Sequence, residues 1–231
     1  MTKTVVIHQP DFLPYLGFFH RLLFADEFIV LDHVQFVNSS RGWTHRDKIK
    51  TLNGEKWLTL SVTKAPRDTP VNQIELSSTV DWVTANLNLL KQNYRNAPFF
   101  DEVFPFVVSL YDYRPRLMVD FNLRSIEMLM DLLDVRLPWV LSSSMQPEGS
   151  SNELLIHLLC KVGATHYLSG IGARDYMQPE MFEQVGIKVI WQNFVHPTYP
   201  QQFGPFIPFL STLDPLFNCG TEGTRKLLRI T

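Results

Sequence analysis

Four polar side chains that could do chemistry follow the first two apolar runs of the chain. His8 and Gln9 come directly after residues 5–7, and Asp32 and Gln35 come after the next apolar run. A histidine can act as a general acid or base near neutral pH, and an aspartate can orient it. We therefore predict that His8 is catalytic, that Asp32 orients it, and that Gln9 and Gln35 bind substrate.

The elements that must position these side chains form a predicted strand, helix, strand unit. Residues 5–7 are apolar on both faces, as in a central strand between helix layers, and Pro10 stops the run. Apolar residues recur at helical spacing over 15–25, and a second strand is predicted over 28–31. In open parallel sheets, ligands bind outside the carboxyl ends of the strands. The polar groups of both strand ends are thus expected in one crevice.

Polar residues also follow three later predicted strands, over 138–141, 165–168 and 187–191. His196, after the last of these, is a second candidate acid or base. We expect this far wall, about 160 residues along the chain, to face the wall formed by residues 5–32. Weak site candidates after the first of these strands are Ser142, Ser143 and Ser144. Substrate binding is predicted for Ser169, Gly170, Tyr199 and Gln201, and also for Tyr15 in the wall formed by residues 5–32.

The densest cationic segment lies between residues 36 and 50. Arg41 and Arg46 stand there beside His45 and Trp43. Arginine offers a fork of donors that suits phosphate or carboxylate, so both arginines are predicted to bind substrate. A solvated loop with surface charges remains the open alternative. Asn53-Gly54 then predicts a tight turn that pairs residues 49–50 with a strand over 56–62.

The middle of the chain is predicted to be mainly helical. Helices are expected over 78–94, 104–111 and 116–133, and their apolar and aromatic residues are interpreted as core. Asn122 is an exception, because an asparagine inside an apolar helix needs a partner, which could be a ligand. A short strand over 71–76 precedes this block. A short helix over 211–217, closed by Cys219-Gly220, ends the predicted elements.

Length and composition predict one α/β domain over 1–231, with 78–134 as a helical insertion or subdomain. The 231 residues are 45% hydrophobic, enough to bury a core. A central, mostly parallel sheet flanked by helices in Rossmann-like layers is the expected fold class. The net charge of −2 argues against nucleic acid as a partner. No apolar span reaches about 18 residues and no leader precedes Val5, so a cytoplasmic protein without a membrane span is expected.

The sequence lacks the signature motifs of several common enzyme classes. The chain has no His-Glu-x-x-His, no Cys-x-x-Cys pair and no Gly-x-Ser-x-Gly elbow, so a zinc hydrolase or serine esterase is disfavoured. No metal ligands are predicted, although Asp32 with His8 or His33 leaves a metal site open. Two cysteines give no disulfide framework, and Cys219 is a poorly supported nucleophile.

Several separated motifs together resemble the WbqC-like protein family. The opening Ile7-His8-Gln9-Pro10 carries the resemblance first. The chain departs from the family at His45, where an asparagine is frequent, and at Ser61, where a proline is frequent. The first departure puts any role for residue 45 in doubt. The resemblance continues, over nearly the whole chain, in residues 13–19, 31–32, 34–36, 46–50, 57–59, 167–170, 196–201, 209–214 and 217–220.

This resemblance implies a function in polysaccharide or O-antigen metabolism. Family members are associated with such gene clusters, which implies acyl or aminoacyl transfer to an activated amino sugar or a similar small molecule. Under this hypothesis His8 and His196 are acid and base, Asp32 orients, and Arg41 and Arg46 bind phosphate of a nucleotide-activated substrate. The resemblance to the family does not assign catalytic residues to this sequence. The oligomeric state also stays open.

Two alternatives belong to other classes. The layout of the N-terminal unit is similar to the nucleotidylyl-transferase and pantothenate-synthetase type of fold, although the His-x-Gly-His motif is absent. This similarity implies an adenylate-forming or nucleotidyl-transferring ligase, so the cofactor stays open between ATP with magnesium and an acyl donor. The other alternative is a non-enzymatic scaffold in glycan assembly, with aromatic residues of 203–209 as its contact surface.

Overall fold

The computed structural model describes residues 1–38 and 42–230. Its seven strands in the described chain are β1 (Thr4–His8), β2 (Glu27–Val30), β3 (Arg46–Thr51), β4 (Gly54–Thr59), β5 (Trp139–Leu141), β6 (His166–Ser169) and β7 (Lys188–Trp191). The α-helices of the same residues are α1 (Leu16–Leu22), α2 (Trp82–Tyr94), α3 (Phe100–Asp112), α4 (Met118–Leu133), α5 (Ser151–Lys161), α6 (Pro179–Glu183) and α7 (Leu213–Leu228).

Five strands form one parallel sheet in the order β5-β2-β1-β6-β7. The chain builds outward from β1 to one edge through β2 and β5, and then to the other edge through β6 and β7. Counted along the chain, this is the strand order 3-2-1-4-5 of a doubly wound fold. The predicted α/β fold with a parallel sheet is confirmed, and its topological switch point lies between β1 and β6.

Alternate residues of β1 supply two cores, one on each face of the sheet. Val5 and Ile7 lie in a cluster with Phe182 of α6 and residues of α5. Val6 points to the other face and belongs to a larger cluster that includes Phe19 of α1. Burial on both faces explains why a strand so short is β-branched without polar alternation.

Helices α2, α3 and α4 fill the predicted helical block. Their buried residues belong to the same large cluster as Val6, and α4 alone contributes Phe121, Ile126 and Leu133 to it. That the block is an insertion or subdomain of one domain stays a prediction. Within the described chain, no helix is both long enough and apolar enough to cross a membrane.

The predicted hairpin is confirmed, but the predicted strand over 71–76 is wrong. Strands β3 and β4 pair from Arg46 with Thr59 to Thr51 with Gly54. Val71–Gln73 instead form a 3-10 turn, apart from isolated bridges on either side. The reason is that the N–H groups of Val71 and Asn72 donate to main-chain oxygens beyond β2, which leaves no ladder to extend.

Helix α7 is longer than the predicted 211–217. Helical structure continues to Leu228, but Gly220 inside it has φ 70° and ψ 176° and breaks the regular backbone. A side chain there would meet the Phe99 ring at 2.6 Å, so the close approach of α3 requires glycine. The predicted stop at Cys219-Gly220 is therefore a kink between two helical segments.

Candidate functional site

The switch point, where β1 ends at His8 and β6 ends at Ser169, is the crevice expected of a doubly wound sheet. The chain beyond His8 turns tightly, with the Asp11 N–H donating to the Gln9 carbonyl at 2.9 Å. Leu13 adopts a left-handed φ of 44° in this turn. The turn brings the Asp11 side chain back to His8 at the end of β1.

The His8 ring is neutral, and one of its two nitrogens carries no proton. Its Nδ1 lies 2.9 Å from the Gln9 carbonyl, which can only accept, so Nδ1 carries the proton and Nε2 offers a lone pair. Burial, followed by the nearby Arg21, lowers the pKa of His8 to about 3. The side chain is still 30% exposed, so a ligand in the crevice can reach it.

Asp11 is the carboxylate that lies beside His8. Its Oδ2 is 3.5 Å from the His8 Nδ1, and its side chain is 16% exposed. Burial raises the pKa of Asp11 to about 7, against the opposing effect of Arg21. Asp11 therefore exchanges its proton near neutral pH, the range in which a general acid or base is most effective.

Arg21 is a buried guanidinium on α1, with only 6% of the residue exposed. In the described chain its side chain has no hydrogen bond or ion pair, and its Nε is a buried atom without a partner. Helical side chains tilt toward the N-terminus of their helix, which here is the crevice end. Arg21 acts electrostatically on His8, Asp11 and Tyr15, so these four groups share one region.

Two glycines make room for this cluster. A Cβ on Gly170, just after β6, would lie 3.0 Å from Nη1 of Arg21. A Cβ on Gly17 would lie 2.7 Å from the hydroxyl oxygen of Tyr15, so the Tyr15 ring lies against the bare backbone of α1. Both positions thus need glycine for a close approach of a site residue.

The hairpin contributes a second buried carboxyl group, Asp47. It is 2% exposed, and burial raises its pKa well above the ordinary value, although its Oδ1 accepts from the Lys48 N–H at 2.6 Å. The neighbouring Asp11 also raises it. Asn122 fixes this arrangement, since its Nδ2 donates to the Pro10 carbonyl at 2.7 Å and the Thr44 carbonyl at 2.6 Å.

Comparison with known proteins gives the family. A profile of the WbqC-like protein family matches residues 9–226, nearly the whole chain. The chain belongs to the WbqC-like protein family. It is 31% identical over 222 residues to "Uncharacterized protein Rv1507c" of Mycobacterium tuberculosis (strain ATCC 25618 / H37Rv), with 95% of each chain covered. No solved structure matches it significantly.

The hydrogen-bond partners of the Asp32 carboxylate in this WbqC-like protein do not include His8. The carboxylate accepts from Ser142 Oγ at 2.9 Å, from Ser143 N at 2.9 Å and Oγ at 2.6 Å, and from Asn72 Nδ2 at 3.2 Å. His33 Nδ1 lies 2.6 Å from the same Ser142 hydroxyl. Because Ser142 is fully buried and donates to Asp32, it is no candidate nucleophile.

His196 lies in an aromatic cluster. Its ring contacts Phe194 at 5.7 Å and Phe209 at 5.2 Å, and both of these rings also contact Tyr15. Burial lowers the pKa of His196. The far wall therefore reaches the crevice through Tyr15, while a joint catalytic role for His8 and His196 stays a prediction.

Tyr199 and Gln201 belong to a hydrogen-bonded network that ties the far wall to α7. The Tyr199 hydroxyl donates to Asp214 Oδ1 at 2.9 Å, and Gln201 Oε1 accepts from Lys50 Nζ at 3.0 Å. Tyr94 donates to the other Asp214 oxygen at 2.6 Å. These contacts hold the loop in place, and substrate binding by Tyr199 and Gln201 stays a prediction.

The remaining predicted binders are dispersed. Gln35 is exposed and donates to the Arg67 carbonyl at 2.8 Å. Arg46 stacks on Trp57, with its guanidinium carbon 4.2 Å from the ring centre. Arg41 lies outside the described residues. At the crevice itself the structure brings together His8, Gln9, Tyr15, Ser169 and Gly170.

Sequence reasoning missed three residues of the site: Asp11, Arg21 and Asp47. Two of them carried a signal. Arg21 is a charge in a seven-residue helix that is buried throughout, and charged residues are almost never buried unless paired. Asp47 lies two residues before the buried Ile49 on β3, so its carboxyl group shares one face of the hairpin with a buried apolar side chain.

Within the described chain, no cluster of three or more histidine, cysteine, aspartate or glutamate residues has the arrangement of a metal site. The polar groups of the crevice are instead one cation, one neutral imidazole and two carboxyl groups with raised pKa values. Such a set can transfer protons and hold an anion.

Proposed function

We propose that this WbqC-like protein is a transferase that moves an acyl or aminoacyl group to the amine of an activated amino sugar or a similar small molecule. The reaction takes place in the crevice between β1 and β6. The observation that carries the proposal is the Asp11 carboxyl group, with a pKa raised to about 7 beside the neutral His8 ring at the switch point. Family membership supports a polysaccharide or O-antigen setting.

The step needs one base and one acid. The amine nitrogen attacks the acyl carbon, a carbon–nitrogen bond forms, and the bond to the thiol or phosphate leaving group breaks. The ionised Asp11 carboxylate takes the proton that the amine loses and passes it to the leaving group. His8 keeps its proton on Nδ1 and accepts a hydrogen bond from the substrate at Nε2.

The test is a transfer assay by mass spectrometry. The purified protein is incubated with nucleotide-activated amino sugars and with thioester, acyl phosphate or aminoacyl adenylate donors, and the mass of the acceptor is followed. We expect Asp11→Asn to lower turnover by about 100-fold or more, the usual share of a general acid or base. Asp112→Asn, an exposed carboxylate at the end of α3, is the matched control and keeps full turnover. Full turnover in Asp11→Asn would refute the proposal.

An ATP-dependent ligase is the second candidate. The strand order 3-2-1-4-5 favours it, because doubly wound sheets with this order bind nucleotides at the switch point. Calorimetric titration with ATP separates the two candidates. Binding that requires magnesium and is lost in a crevice variant supports the ligase, and no binding with or without magnesium removes it.

A non-enzymatic scaffold is the third candidate, favoured by the 53% exposure of Phe209. Phe209→Ser tests it. A scaffold loses its protein partner with this change, whereas a transferase keeps turnover.

A further inference from the structure

Arg21 poses a physical problem in the ligand-free protein. A buried guanidinium needs a counter-charge or a full set of hydrogen bonds, since desolvating an unpaired ion is costly. Arg21 is 6% exposed, and neither a carboxylate nor a carbonyl of the described chain accepts from its side chain. Within residues 1–38 and 42–230, the Arg21 side chain therefore has no counter-charge that it contacts.

The neighbours of Arg21 leave its positive charge uncompensated. His8 is neutral at physiological pH, and burial raises the pKa values of the Tyr15 and Tyr167 phenols, so neither phenol supplies a negative charge. Asp11, whose pKa is raised to about 7, is only partly ionised near neutrality. The crevice therefore carries a net positive charge that an incoming anion would balance.

Gly170 lets the Arg21 guanidinium lie against bare backbone at the end of β6. The position of a Cβ on Gly170 would be 3.0 Å from Nη1 of Arg21, closer than ordinary contact allows. Gly170 follows β6 directly, so the guanidinium lies at the carboxyl end of the sheet between β1 and β6. Ligands of doubly wound folds occupy this place.

We propose that Arg21, which lies against Gly170 at the carboxyl ends of β1 and β6, binds an oxyanion of the substrate, a phosphate or a carboxylate. The guanidinium donates two parallel N–H groups to two oxygens of the anion, as arginine does with both groups. The substrate class is thereby an anionic small molecule whose reacting group lies near His8 and Asp11. This inference refines the proposed function by naming the charged group of its substrate, but anion binding can be measured without turnover.

The rival explanation is an internal ion pair. A side-chain rotation could bring Arg21 to Asp11 in solution, and the guanidinium would then serve the fold alone. The two explanations differ in the effect of Asp11→Asn. An internal pair would be broken and the protein destabilised, whereas an anion site keeps its cation and loses a competing negative charge.

The experiment is calorimetric titration of the full chain with inorganic phosphate, pyrophosphate and acetate. We expect the wild type to bind at least one of the three. Arg21→Gln should weaken this binding by about tenfold or more, the value of a charge-assisted bidentate contact. Gly170→Ala should weaken it severalfold, and Arg124→Gln on the exposed face of α4 should leave it unchanged. Circular dichroism and thermal melting check that each variant is folded.

Preference among the probes identifies the source of the anion. Tighter phosphate or pyrophosphate binding points to the phosphate of an activated substrate, and tighter acetate binding points to a carboxylate donor. No binding of any probe by the wild type up to about 10 mM, or equal binding by Arg21→Gln, would overturn the inference. Asp11→Asn distinguishes it from the proposed function, because that variant should keep anion binding and lose turnover.

Discussion

Two buried polar clusters of this protein, both at the carboxyl ends of strands, differ in how their charges are satisfied. The Asp32 cluster joins the ends of β2 and β5, and its carboxylate accepts hydrogen bonds from Ser142, Ser143 and Asn72. The crevice cluster of His8, Asp11 and Arg21 holds a cation without a partner in the described chain.

The difference separates groups that hold the fold from groups that await a ligand. A buried carboxylate with four hydrogen bonds has no capacity left for a substrate. A buried cation without hydrogen bonds is a cost that a ligand can remove. The comparison therefore supports a stabilising role of Asp32 in the fold and the proposal that Arg21 binds a ligand, while the orienting role of Asp32 at His8 stays a prediction.

Removing the Asp32 carboxylate should have the largest effect. Asp32→Ala removes four hydrogen bonds to a buried carboxylate and leaves the buried Ser142 hydroxyl without its acceptor, so we expect a loss of about 3–5 kcal/mol in the free energy of unfolding. Urea unfolding measures it. A loss as small as that of an exposed aspartate such as Asp112 would show that the Asp32 cluster is not structural.

Removing the Arg21 charge should change the free energy of unfolding in the opposite direction. Arg21→Met keeps most of the side-chain volume and removes an unpaired buried cation, so we expect the ligand-free protein to gain about 1–3 kcal/mol. The same unfolding measurement applies, with Arg124→Met, an exposed arginine of α4, as the control. Destabilisation by Arg21→Met would mean that the fold uses the charge, and the contrast between the two clusters would be lost.

Asp11→Asn should change how stability depends on pH. The folded pKa of Asp11 is about 7 and its ordinary value is 3.8, so the folded state binds more protons between these values. Its contribution to stability is therefore present below about pH 4 and is lost as the pH rises through about 7. We expect Asp11→Asn to gain stability relative to wild type as the pH rises from about 4 to about 8, by at most about 4 kcal/mol. A constant difference between the two proteins over this range would contradict the raised pKa.

The smallest expected effect on stability is that of Gly17→Ala. Alanine favours the helix by about 1 kcal/mol, but its methyl group meets the Tyr15 ring and offsets that gain. We expect a net change below about 1 kcal/mol together with a displaced Tyr15 side chain. A crystal structure of the variant shows the displacement. Gly172→Ala, where no atom lies within 4 Å of the added methyl, is the control.

Much of the fold could be predicted because local patterns determine it. The β-branched run of β1, the helical spacing of α1 and the turn at Asn53-Gly54 each predicted the element that forms. The strand predicted over 71–76 failed because its N–H groups pair with the chain after β2, a contact that no local pattern shows.

The site could be predicted only in its location. Strand ends indicated His8, Ser169 and Gly170, and the parallel pairing of β1 and β6 puts these residues at the same edge of the sheet, but the roles of the carboxylates depend on distant partners. Asp32 is satisfied by serines about 110 residues along the chain, and this leaves Asp11 as the carboxylate beside His8. The spacing of residues along the sequence does not show which side chains so far apart in the chain form hydrogen bonds with each other.

Unfolding of the wild type and Arg21→Met at increasing phosphate concentration tests the central claim most directly. The two halves of the claim are that Arg21 destabilises the empty protein and that an oxyanion removes this cost. We predict that Arg21→Met is the more stable protein without phosphate, and that phosphate stabilises only the wild type, by RT ln(1 + [L]/Kd). A less stable Arg21→Met without phosphate, or an equal gain by both proteins with phosphate, would contradict the account.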